Sequence, residues 1–163
     1  MPSAAEFSAL YRRHAPTVYR RARQILGSAA DAHEVMKDLF VSLFEKPEQF
    51  EGASSLTTFL YAATTNACLN RLRNAKNRQR LLDAQGPSLE PTSNSLSPEQ
   101  LLMLQRALLE MPDELARAVV YSCVDGLSQD EIARLLSCSR RHVGNLLQRV
   151  NDWAMAQELH HAE

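Results

Sequence analysis

Arg140, Arg141, His142, Asn145, Gln148 and Arg149 fall within one short stretch, "SRRHVGNLLQR", at offsets of one, three and four residues. On a helix that spacing gathers them along one side. Guanidinium, imidazole and amide groups are the side chains that pair with phosphate oxygens and with base edges in a major groove. Val143, Leu146, Leu147 and Val150 lie between them and form an apolar stripe for the opposite face. The plainer reading of the same pattern is an amphipathic hairpin whose basic residues are only solvated.

A second set lies earlier. From Gly52 to Arg80 the chain has no acidic residue, and Arg71, Arg73, Lys76, Arg78 and Arg80 cluster toward the end of that span. Asn66 and Asn70 are four apart and Arg73 follows three later, so a helix carries them on one face. Phe50, Phe59 and Tyr61 stand just before. Aromatic rings beside a basic track suit unstacked bases, which need new stacking partners. The alternative is a solvated helix end whose cations favour the helix dipole, with the rings in the core.

Neither set is catalytic. No Gly-rich phosphate loop, metal-ligand cluster or Cys-His-acid arrangement is present in the sequence, so no enzyme activity, cofactor, metal or small-molecule substrate is expected. Cys68, Cys123 and Cys138 are far apart and form no CxxC pair; they read as reduced, semi-buried thiols. His142 reads as a helix-surface contact rather than a ligand. "MPSAAEFSALYRRHAP" lacks an apolar run of signal-peptide length, and no run approaches the roughly 18 residues of a membrane span. A cytoplasmic location without membrane insertion is therefore expected.

Helices must position these residues. Gly is scarce (5 of 163 residues), β-branched runs are rare, and Leu, Ala, Arg, Gln and Glu are common. In "EFSALYRRHAPTVYRRARQIL" Phe7, Leu10, Tyr11, Val18, Ala22 and Ile25 keep helical spacing, and Pro16 predicts a break or the first turn of a second helix. Gly27 ends that unit, and Asp31 is the expected cap of a helix through about Glu45 that stops at Pro47. "LTTFLYAATTNACLNRLRNAKNRQRLL" is a third helix. "DAQGPSLEPTSNSLSP" has three Pro, four Ser and no basic residue, and reads as an extended linker. Beyond it, "SPEQLLMLQRALLEM" opens on a Ser cap with Pro first. "PDELARAVVYSCVDG" is a helix with Pro first and Gly126 last. Ser128 and Glu131 form a capping box for a helix from Gln129 to Leu136. Ser137 occupies a turn position that tends to be left-handed, and Ser139 caps the next helix.

The expected fold is therefore all-α, with two small helical domains joined by a flexible linker. Residues 6–80 form the first module, 81–97 the linker, 98–153 the second module and 154–163 a fraying tail. The net charge of −1 hides an asymmetry: residues 1–80 hold 12 Lys or Arg against 7 Asp or Glu, and residues 81–163 hold 6 against 12. That imbalance implies modules with different partners.

In order and spacing the modules resemble the sigma-70 family of bacterial transcription initiation factors, and most closely its small extracytoplasmic-function group. "YRRARQILGSAADAHEVMKDLFVSLFEKPEQF" is similar to regions 2.1 and 2.2, and "TTFLYAATTNACLNRLRNAKNR" to regions 2.3 and 2.4. "ALLEMPDELARAVVYSCVDGLSQDEIARLLSCSRRHVGNLLQRV" is similar to region 4. The resemblance implies binding to core RNA polymerase through its clamp coiled coil and flap, with Asp31, Glu34, Lys37 and Asp38 on the clamp. It implies opening of the promoter −10 element and capture of a flipped base, with Phe50, Ser54, Ser55, Thr57, Phe59 and Tyr61 among the single-strand contacts. Asn66, Asn70, Arg71, Arg73, Lys76 and Arg78 belong to the same set of contacts, the first four of them sharing in that capture. It implies reading of the −35 element as duplex by Ser128, Ser139, Arg140, Arg141, His142, Asn145, Gln148 and Arg149, and control by an anti-sigma factor. In "DAHEVMKD" His33 and Lys37 stand where the family often has an acid and Gln. Asn70 stands where Asp is common. A free-standing helix-turn-helix regulator and a protein-only helical adaptor are the other classes the residues admit.

Overall fold

The computed structural model describes residues 3–49, 55–82 and 96–161, the side chains of 49, 76–82 and 160–161 excepted. Residues 83–95 of the expected linker, Phe50 and Ser54 lie outside the described residues, as do the side chains of Lys76 and Arg78. Every regular element among the described residues is helical. The chain divides into two compact units, Met1–Gln105 and Arg106–Glu163.

The first unit is built on α1 (Ala4–Leu26), α2 (Ala29–Glu45) and α3 (Leu56–Leu82), with a short 3₁₀ turn at Pro47–Gln49. Ser3 starts α1 by a reciprocal capping box. The Glu6 N–H donates to Ser3 Oγ at 3.2 Å, and the Ser3 N–H donates to Glu6 Oε2 at 2.7 Å. The break expected at Pro16 is absent, and α1 runs through it. An interior proline costs about 3 kcal/mol, because it removes one backbone donor and crowds the preceding turn. Here the apolar stripe keeps register on both sides of it: Ala15, Val18, Ala22 and Ile25 are all buried. Burying side chains of this kind contributes roughly 1.5–3 kcal/mol for each large one, enough to outweigh the local penalty. Gly27 closes α1 in the left-handed region at φ 73°.

The cap of α2 is Ser28, whose Oγ accepts from the Asp31 N–H at 3.2 Å, and not Asp31 as expected. Asp31 sits in the first turn instead, where its charge still suits the dipole but its carboxylate is available to other partners. Met36, Phe40 and Leu43 of α2 meet Ala15 and Val18 of α1 and Leu60 of α3 in one core cluster. Phe7 and Tyr11 extend it, edge-on to Phe44 and Phe40 at centroid distances of 4.9 and 5.0 Å.

α4 (Pro98–Glu110) crosses the division between the units. Its Ser97 cap forms as expected, with the Gln100 N–H donating to Ser97 Oγ at 3.2 Å. Gln105, in the first unit, donates from Nε2 to the carbonyls of Ile25 and Leu26 at 3.0 and 3.1 Å. Those carbonyls belong to the last turn of α1, which has no helical partner for them.

In the second unit α5 (Asp113–Val119) starts after Pro112, which is the cap rather than the first helical residue. The single helix expected here widens into a π-helical turn at Val120–Val124, where the Asp125 N–H reaches the Val120 carbonyl at 3.0 Å. α6 (Gln129–Leu136) and α7 (Arg140–His161) follow. Leu115, Val119, Val120, Tyr121, Ile132, Val143 and Leu146 are buried together as the core of this unit.

Candidate nucleic-acid interface

α6 and α7 are fixed at a set angle by local bonds. Ser128 Oγ accepts from the Glu131 N–H, and Glu131 Oε2 from the Ser128 N–H, both at 3.2 Å. Ser137 ends α6 at φ 53°, ψ 46°, the left-handed conformation its position requires. The Cys138 N–H then reaches back to the Ala133 carbonyl at 3.0 Å, closing a Schellman turn. Ser139 caps α7 by accepting from the His142 N–H at 3.1 Å. Both serines assigned to DNA contact thus serve as caps, which accept through oxygen and leave each hydroxyl proton free to donate outward.

Arg140, Arg141, His142, Asn145, Gln148 and Arg149 are all exposed. Several meet carboxylates of their own unit. Arg140 Nη1 is 3.6 Å from Asp130 Oδ2. Glu114, on α5, binds both His142 Nε2 at 3.1 Å and Arg149 Nη1 at 3.4 Å. Gln148 Nε2 donates to Asp152 Oδ1 at 3.1 Å. Among the described residues Arg141 and Asn145 make no such contact. The hydrogen bond from His142 and, after it, Arg149 hold the Glu114 carboxyl below its ordinary pKa. The pairing is therefore present at neutral pH and disappears as pH falls through that lowered value. Exposed pairs of this kind contribute about 0–1 kcal/mol, so a phosphate can displace them.

In the first unit a groove of about 380 Å³ runs between α2 and α3. Asp31, Asp38, Phe59, Asn70, Arg71 and Asn74 are among its walls. Arg71 Nε and Nη2 lie 3.4 and 3.3 Å from Asp31 Oδ1, and Nη2 also binds Glu34 Oε2. Burial works against the Arg71 charge, but the hydrogen bond to Glu34 and the charges of Asp31 and Glu34 outweigh it and raise its pKa. Two residues assigned to polymerase and one assigned to DNA thus form a single ion cluster. Sequence reading missed this pairing, because 40 residues separate Asp31 from Arg71. Lys37 and Asp38 are exposed, and Asp38 borders the groove. Asn66 and Asn70 are exposed on α3, and Arg73 Nη1 donates to Asn70 Oδ1 at 3.3 Å.

The remaining −10 candidates separate. Ser55 caps α3, its Oγ accepting from the Thr58 N–H at 3.1 Å. Phe59 is half-buried against the core and borders the groove. Thr57 and Tyr61 face α1 instead. Five residues of helix separate Tyr61 from Asn66, a turn of about 140° around the axis. Tyr61 therefore lies apart from the Asn66–Asn70–Arg73 face, and its ring packs 4.1 Å from the guanidinium of buried Arg21. Among the described residues no cluster of His, Cys, Asp and Glu is fit to hold a metal. Cys68 is buried, Cys138 half-buried and Cys123 exposed, and all three are free thiols. No described helix is long and apolar enough to cross a membrane.

Comparison with known proteins matches residues 10–78 to the family description "Sigma-70 region 2" and residues 101–150 to "Sigma-70, region 4". The ECF RNA polymerase sigma factor SigM of Mycobacterium tuberculosis is 31% identical over 131 residues, covering 80% of this chain and 65% of that protein. The ECF RNA polymerase sigma-E factor of Escherichia coli is 27% identical over 135 residues, covering 75% of this chain and 69% of that one. The chain spans about 65% of the length of the first curated relatives it matches. Among solved structures, the sigma factor RpoE bound to the anti-sigma factor NepR, from Bartonella quintana, superposes with a TM-score of 0.56 at 16% identity, covering 90% of this chain and 92% of that one. CnrH in complex with the cytosolic domain of CnrY gives a TM-score of 0.56 at 20% identity, covering 99% and 91%. At those identities the likeness is one of fold.

Proposed function

The chain belongs to the sigma-70 family, in its extracytoplasmic-function group, and on that premise we propose that it binds core RNA polymerase and directs it to a restricted set of promoters. The observation that carries this reading is a capped helix-turn-helix in the second unit together with a groove in the first unit that joins acidic α2 to basic α3. The exposed start of α7, with Arg140, Arg141 and Asn145 foremost, reads the −35 element in the major groove. The Asn66–Asn70–Arg73 face of α3 holds the opened −10 strand, with Phe59 at the groove beside it. Exposed Lys37 and Asp38 of α2 meet the polymerase clamp, and residues 6–80 and 98–153 form the two modules that divide this work. An anti-sigma factor, the kind of partner seen on the structural relative RpoE, is the expected control, and the protein acts without catalysis of its own.

Charge favours this over a free-standing regulator. Neutralised phosphates supply much of the affinity of a protein that binds duplex unaided. A chain of net charge −1 whose reader half holds 6 cations against 12 acids is poorly equipped for that. The test is transcription by purified core polymerase with this chain on a randomised promoter library. Enrichment of promoters sharing two spaced elements is expected. Absence of core binding, or tight binding of the lone chain to a palindromic duplex, would sink the proposal.

A further inference from the structure

α3 has a second polar recess on its other side. A cleft of about 360 Å³ opens between α1 and α3, and Arg13, Thr17, Arg20 and Arg21 of α1 face Thr57 and Tyr61 of α3 across it. Among the described residues no carboxylate lines it. Arg21 is buried at its base, where Nη1 donates to the Tyr61 carbonyl at 3.0 Å and Nη2 to Thr65 Oγ1 at 2.9 Å. These bonds fix its guanidinium in place. Arg13 and Arg20 are exposed at the rim, seven residues apart and so two turns along one helix face, with Thr17 between them. Among the described residues neither makes an ion pair or hydrogen bond. His14 also borders the cleft, and burial and, after it, the nearby Arg13 charge lower its pKa.

Two exposed guanidinium groups and the nearby threonine hydroxyls, around a recess that no carboxylate lines among the described residues, are a site for an anion with several acceptor oxygens. The recess falls in the range of about 300–1,000 Å³ typical of small ligand sites, a size that suits one phosphate of a single strand. Its position supplies the source. Thr57 borders this cleft and Phe59, two residues on, borders the α2/α3 groove. A strand leaving the groove has only the first turn of α3 to cross. We propose that the α1/α3 cleft binds a backbone phosphate of the same single strand that the α2/α3 groove captures, with Arg13 and Arg20 as its ion-pairing groups. This rests on the reading of the first unit as the holder of opened −10 DNA.

The test uses holoenzyme reconstituted from core polymerase and the full chain, and fork-junction DNA carrying a promoter from the library selection. In one fork the single-stranded non-template strand ends at the −10 element; in the other it continues by several nucleotides. Arg13→Gln with Arg20→Gln should leave the short fork's affinity unchanged and weaken the long fork about tenfold. The log–log salt dependence on the long fork should become shallower by about 0.7 for each phosphate that is no longer neutralised. Equal weakening on both forks, no weakening on either, or displacement of the added strand by free ATP would overturn the cleft's assignment. If wild-type holoenzyme binds the short fork and lengthening adds nothing, the cleft proposal fails alone. If the short fork is not bound at all, the reading of the first unit fails with it.

Discussion

Arg71 is the residue at which two assignments meet. Its spacing on a basic helix suggested a strand contact, yet its guanidinium is committed to Asp31 and Glu34 and is mostly covered, with 27% of the side chain exposed. Arg73, two residues on, leans instead on the neutral amide of Asn70. Arg71→Ala should therefore lower the stability of the chain by about 0.5–1 kcal/mol, partly screened by salt because its partners are exposed. Chemical denaturation at low and high salt measures this. A variant as stable as wild type, but defective in promoter opening, would return Arg71 to the strand-binding face. Glu114 teaches the same lesson in the second unit: a carboxylate from α5 occupies two side chains of α7 that otherwise look free to read DNA.

At the scale of elements, the turn between α6 and α7 sets where the reader's side chains emerge. It places Ser137 in the left-handed region, where a Cβ is disfavoured by about 1 kcal/mol or more. Ser137→Gly removes that strain but gives the unfolded chain extra freedom, so a net gain of about 0.5 kcal/mol is expected. A higher melting temperature, with −35 binding unchanged, is the outcome to look for; a lower one would mean that the Ser137 side chain stabilises the turn by means other than backbone geometry. α1 shows the opposite balance. There Pro16 is locally unfavourable and the helix persists, because Ala15, Val18, Ala22 and Ile25 continue one buried stripe across it.

For the whole molecule, charge distribution sets how the units act. Cations predominate in residues 1–80 and acids in residues 81–163. Three of those acids, Glu114, Asp130 and Asp152, touch α7 residues expected to face DNA. The free chain should thus bind a −35 duplex weakly, with a shallow salt dependence of a few phosphate contacts at about −0.9 each in log–log slope. Fluorescence anisotropy of a labelled duplex across a salt series measures this. A slope steeper than about −5 for the free chain would mean a phosphate footprint large enough to act without polymerase.

Periodicity and capping made the helices legible. Ser128 with Glu131, Ser97 with Pro98, and Gly27 are local signals, and each acts as its type dictates because capping depends on neighbours within one turn. The exposed α7 side chains were legible for the same reason: one helix face is a matter of spacing. Local signals misled where packing outweighed them, at Pro16, or where a nearer serine took the cap, at Ser28. Arg13 and Arg20 carried a readable signal, seven residues apart with Thr17 between them. Only the neighbouring α3 makes a cleft of it. The sequence alone determined the two-module, all-helical plan and most of its elements. Tertiary structure decided which charges are already paired, which face of α3 each polar residue serves, and where cations gather around a cleft. Those depend on contacts between residues tens of positions apart, such as Arg71 with Asp31 or Arg21 with Thr65, which spacing along one helix does not encode.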